Sequence, residues 1–118
     1  MKTETQLTAE IYNALNSIVS LFWLSRPTLN QTFPLAVYKN LDISSEYAFG
    51  ISRSAEERIY QIDLYVSPEQ VVIADNLIDS IKTAMEGLNY RLTGSQADFI
   101  DSELNKIIKV TRWERFNV

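Results

Sequence analysis

The sequence has no cysteine and no histidine among its 118 residues. The first absence removes thiol nucleophiles, disulfides and thiolate metal sites. The second removes the commonest general base, the commonest transition-metal ligand and every triad built on imidazole. Basic residues are outnumbered, 11 against 15 acidic ones, for a net charge of −4. Binding to phosphate backbones needs a basic footprint, so a nucleic-acid reader is disfavoured. Long apolar runs are also missing. Stretches such as Leu21-Phe22-Trp23-Leu24 fall far short of the roughly 20 residues that span a bilayer. The start, Met1-Lys2-Thr3-Glu4-Thr5-Gln6, lacks the basic-then-apolar pattern of a signal peptide. The expectation is a soluble cytoplasmic protein with no membrane contact, no metal, no cofactor and no catalytic residues.

Glycine and proline number only three each, and no repeat, linker or low-complexity tract appears. With 46% hydrophobic and 22% charged residues, residues 1–118 read as one globular domain able to bury a core without staples. Leu7, Ile11, Ala14, Leu15, Ile18, Leu21 and Phe22 share one arc at the helical repeat, predicting a helix from Gln6 to Leu24. Thr3 and Gln6 have the spacing of a capping box at its start, and Pro27 sets its end.

Arg26 to Phe33 reads as a connector. Pro34 then opens an extended run, Leu35 to Leu41, and a second run covers Tyr47 to Arg53, with Gly50 marking a bulge or close approach. Ser54-Ala55-Glu56-Glu57 is a charged turn. Arg58 to Val66 alternates with a period of two, so Tyr60, Ile62, Leu64 and Val66 face the core. Ile59, Gln61, Asp63 and Tyr65 then face water or a partner. Ser67-Pro68-Glu69-Gln70 has every mark of a helix start. The helix that follows reaches Gly87, placed in the left-handed position that ends it. Asn89 to Leu92 is a short strand, Thr93-Gly94-Ser95 a turn, Asp98 to Glu103 an acidic loop, and Lys106 to Phe116 a last strand. The expected fold is α+β: a mostly antiparallel sheet with two helices packed on one face, in the order α-β-β-β-α-β-β. No remaining element covers the other face.

Chemistry-bearing clusters are few. Asp98, Asp101 and Glu103 could offer oxygens to a hard cation, but the spacing is not that of an EF-hand, and a solvated acidic loop is the ordinary reading. Asp63 beside Gln61 and Tyr65 reads as a sheet-surface aspartate without a cleft. Lys109, Arg112 and Arg115 around Trp113 have the interleaving of single-strand binders, set against a net acidic chain. Tyr12, Val19 and Trp23 form a second stripe beside the first helix's core arc. Together with Tyr47 and Trp113 on the bare sheet face, they are candidate subunit-interface residues, since aromatics concentrate at the centres of protein contacts.

The order of four pieces resembles the tail completion (tail terminator, head–tail joining) proteins of long-tailed bacteriophages and prophages. The pieces are the N-terminal helix, then Phe33-Pro34-Leu35-Ala36-Val37-Tyr38, then Tyr60-Gln61-Ile62-Asp63-Leu64-Tyr65-Val66 running into a Ser-Pro-capped helix. That helix ends at Met85-Glu86-Gly87-Leu88, and a strand with Trp113 and Phe116 closes the chain. The resemblance implies a non-enzymatic homo-oligomer, a ring with six subunits as one candidate number. Such a ring sits at the head-proximal end of the tail tube and is joined by the head. It implies the tail tube protein and head–tail connector proteins as partners. It also places the chain in the host cytoplasm before assembly and in the virion tail afterwards. Glu46, Glu56 and Glu57 are candidates for a surface near the DNA channel or a docking surface. Two other classes remain open: a small α+β adaptor domain, and a neck or head-completion connector.

Overall fold

The fold was taken from a computed structural model that describes residues 2–46, 55–96 and 98–117. It is α+β, with two helices against a six-stranded, mostly antiparallel sheet. Helix α1 spans Glu4–Leu15 and helix α2 spans Val71–Gly87. The strands are β1 (Ser20–Trp23), β2 (Leu35–Glu46), β3 (Ala55–Val66), β4 (Arg91–Ser95), β5 (Phe99–Asp101) and β6 (Lys106–Asn117). They lie in the order β1-β2-β3-β6-β4, with β5 also paired to β6. Only β1–β2 is parallel.

The capping contacts form at both expected helix starts, although Pro68–Gln70 make a 3-10 turn and α2 proper begins at Val71. The Thr3 hydroxyl accepts from the Gln6 amide (3.2 Å), and the Gln6 side chain accepts from the Thr3 amide (2.9 Å). Gln70 repeats the second half of this box on the Ser67 amide at 2.9 Å. Its side-chain nitrogen then donates to the Phe33 carbonyl at 2.8 Å, which pins the start of α2 to the entry of β2. Leu7, Ile11 and Leu15 of α1 and Ala74, Ile81 and Met85 of α2 are buried. They meet Ala36, Tyr38, Tyr60, Ile62, Leu64, Val66 and Trp113 on one sheet face.

The first helix is shorter than its periodicity predicts. It ends at Leu15, whose carbonyl accepts from Ile18 and Val19 in a closing turn. Residues 20–23 form β1 instead. Leu21 and Trp23 join the helix-side core while Phe22 packs on the opposite face. A strand sends neighbours to two faces and a helix cannot. Leu24, at φ 59°, turns the chain away.

Other boundaries shift for local reasons. Gly87 is still helical, and the left-handed residue after α2 is Asn89, at φ 70°. Asparagine is the usual second choice there. The turn expected at residues 93–95 is part of β4, with a bulge between Leu92 and Gly94. The acidic segment contributes the short strand β5. The strand expected at Tyr47 to Arg53 lies outside the described residues.

The second sheet face is not wholly bare, as the sequence suggested. The connector between β1 and β2 crosses part of it. Phe33 and Phe22 pack on Leu35, Val37, Tyr65, Leu104, Ile108 and Val110. Lys106 stands 4.6 Å over the Phe33 ring, and Arg26 pairs with Asp101 at 2.9 Å. Leu64→Ala, at a fully buried position, is expected to cost about 2–5 kcal/mol. Ile100→Ala, at a position 70% exposed, is expected to stay within about 0.5 kcal/mol. Urea unfolding of the two variants measures both.

Candidate functional site

Beyond the connector, the second face turns polar. In β3, alternation places Ile59, Gln61 and Asp63 there, opposite the helices. The register sets Lys39 of β2 and Arg112 of β6 on either side of Gln61. Gln61 is 8% exposed and joins the row: its amide nitrogen donates to Asp63 Oδ1 at 2.9 Å, and Arg112 Nε donates to its oxygen at 3.1 Å. Burial pushes the Asp63 carboxyl above its ordinary range. The Gln61 hydrogen bond and the charges of Lys39 and Arg112 pull it back only in part. One row further, Glu114 faces Arg91, whose Nε donates to it at 2.8 Å. The Arg91 hydrogen bond, then one with Glu57, holds Glu114 below the usual carboxylate range.

A second polar cluster lies under α1. Arg58, 6% exposed, donates to Glu4 Oε2, and the Tyr60 hydroxyl donates to the same oxygen at 3.0 Å. Burial, aided by that bond, pushes the Tyr60 hydroxyl up. The Tyr90 hydroxyl is raised to about 12 by burial. This cluster clamps the start of α1 to β3, with Arg58 and Tyr60 buried and Glu4 partly exposed at its edge.

The candidate interface residues scatter. Trp113 is 1% exposed on the helix-covered face, because its register partners are Tyr60 and Leu92. Its indole donates to the Thr111 hydroxyl at 2.9 Å, so its one polar group is satisfied inside. Val19 is likewise buried in the helix-side core. Both are core residues and not surface anchors. Trp23 is half-buried, its ring 4.9 Å from Tyr38 in an edge-on contact. Tyr12 is exposed. Tyr47 lies outside the described residues. At the far end of β2 and β3, Glu46 pairs with Ala55 and Glu56 with Ser45 through the backbone; the side chains of Glu46 and Glu56 are not among those described. Glu57 is half-buried one residue further along β3.

The acidic segment is spent on ion pairs. Asp98 pairs with Lys109 at 2.7 Å, while Asp101 and Glu103 share Arg26 at 2.9 and 3.3 Å. Asp101 Oδ1 also accepts from the Glu103 and Leu104 amides. Among the described residues no group of acidic side chains is placed to hold a metal ion. The basic residues around Trp113 divide between faces. Arg115 donates to the Leu88 carbonyl and lies over Tyr90, whereas Arg112 points to the open face. Among the described residues, no helix is long and apolar enough to cross a membrane.

The sequence matches no family model and no curated protein. Geometry alone therefore selects the site. The strip Lys39–Gln61–Asp63–Arg112 is charged and partly exposed, with Gln61, Asp63 and Arg112 joined by side-chain hydrogen bonds on the face away from the helices. Alternation flagged Gln61 and Asp63. Arg112 stood out only as a basic neighbour of Trp113 and Lys39 not at all, because only the strand register brings them to one row with Gln61.

A carboxyl raised in the fold binds its proton more tightly than in the unfolded chain. Stability from this group therefore falls as pH rises from its ordinary value of 3.8 through the raised one. Glu114 has the opposite sign: its contribution is present at neutral pH and is lost as pH falls through its lowered value. Asp63→Asn should remove the first decline and Glu114→Gln the second. Urea midpoints measured from pH 3 to pH 8 are the check.

Proposed function

We propose that this chain is a structural virion protein, a ring subunit that caps the head-proximal end of a phage tail tube and forms the surface joined by the head. The observation that carries the reading is the sheet left open. Two helices back one face, while the other presents an ordered charged strip and an apolar edge strand with Phe99 and Ile100 exposed. Open sheet faces and edges are where further chains add. The piecewise resemblance from Phe33-Pro34 through the Tyr60 to Val66 strand to Trp113 supports the same reading.

The net charge of −4 suits a collar through which DNA passes, because an acidic wall repels phosphate and does not hold it. Glu46, Glu56 and Glu57 supply that charge near one end of the long strands. The partners are the tail tube protein and the head–tail connector, met in the host cytoplasm and retained in the virion tail. An adaptor domain that binds one unrelated protein is the second reading, and it rests on the same open face.

Tubes polymerised from a phage tail tube protein separate the two. Added chain should end the tubes with a ring visible by negative-stain microscopy. Tubes that keep growing with bare ends would overturn the reading. Replacing Glu46, Glu56 and Glu57 together by Gln should slow genome ejection at unchanged tube capping, as measured by dye uptake into released DNA.

A further inference from the structure

The charged strip has a counterpart elsewhere on the molecule. Lys39 and Arg112 flank Gln61 in one row, about 10 Å apart as two strand spacings. Among the described residues neither belongs to a salt bridge. Between them stands Gln61, and Asp63 lies two residues further along β3, in the row of Val37 and Val110. On the outer side of α2, Asp79 and Glu86 are exposed and also lack a salt bridge among the described residues. Seven residues apart, they lie about 10 Å along the axis and nearly on one stripe. Between them stands exposed Lys82. The sheet therefore sets two cations, and the helix two acids, about 10 Å apart. A shallow depression beside Asp79, lined by Ile18, Ser80, Thr83 and Ala84, leaves room for a side chain from above.

We propose that α2 of one copy seats across the second sheet face of the next, with Asp79 and Glu86 meeting Lys39 and Arg112. The helix layer of one copy then becomes the missing third layer of its neighbour, and the sheet is covered on both faces. The two surfaces are different, so the contact is heterologous, and its repetition closes a ring or runs on as a filament. This contact rests on the reading of the chain as a ring subunit and names the surfaces that build the ring. Charge pairs of this kind steer association and fix register, and salt screens them.

Sedimentation velocity of the full chain across a concentration series tests the contact. Self-association at low salt should weaken in about 0.5 M salt. Lys39→Glu with Arg112→Glu should weaken it about tenfold or more, as should Asp79→Lys with Glu86→Lys at fully surface positions. Each double variant keeps one native surface, and the two altered surfaces again have opposite charge. Mixing the two variants should therefore restore association to near the native level. Circular dichroism confirms that both are folded, and the helix variant carries the test if the sheet variant is not. A native chain that stays monomeric, association that ignores both variants, or a mixture that stays apart overturns the contact. If tubes are still capped in any of those cases, the ring reading stands and only these surfaces fall. If capping also fails, both fall.

Discussion

Strand β3 is hydrogen-bonded along its length on both sides, to β2 and to β6. With its backbone committed in both directions, only its side chains are free to differ, and their alternation sorts the molecule. Tyr60, Ile62, Leu64 and Val66 sink into the helix-side core, while Gln61 and Asp63 hold the polar strip. A slip of one residue would bury Gln61 and Asp63 under the helices and lift four apolar side chains out of the core. The clamp of Glu4 on Arg58 and Tyr60 ties α1 to this same register. The bond from Gln70 to the Phe33 carbonyl ties α2 to its neighbour β2.

Much of this was legible where a signal is local. The period-two pattern from Arg58 to Val66 and the capping spacings at Thr3 and Ser67 each involve residues within one element. The structure reproduces them. Residues 16–24 defeated the same approach. A short apolar run fits one face of a helix as well as it fits a buried strand, and the deciding contact is with β2, whose matching residues are Leu35 to Tyr38. Trp113 was read as a surface aromatic for a related reason. Composition cannot say which side of a strand meets the helices until the register with Tyr60 is known. The row Lys39–Gln61–Arg112 spans three strands drawn from across the chain, so no window of sequence contains it.

The second face also shows how a small sheet protects itself. Its apolar end is closed by the connector between two parallel neighbours, with Phe33 beneath Lys106 and Arg26 reaching across to Asp101. The acids that looked like a loose loop are the anchors of that cover. Where the connector stops, side chains turn from Val37 and Val110 to Lys39 and Arg112 along the same strands. Among the described residues, the face is thus apolar where the connector packs on it and polar beyond.

That division changes the meaning of the net charge. Several cations are spent locally: Lys2 on Glu10, Arg58 on Glu4, Lys109 on Asp98, Arg91 on Glu114. What remains is unevenly placed, with Lys39 and Arg112 near Asp63 on the second sheet face and Asp79 and Glu86 around Lys82 on the outer side of α2. In the contact proposed above, such placement favours front-to-back approach of two copies over face-to-face or helix-to-helix approach. The excess of acid then acts at longer range than the pattern, keeping unaligned copies and phosphate backbones away. Net charge and charge pattern are separable quantities here: the first discourages indiscriminate contact, and in the contact proposed above the second sets its orientation.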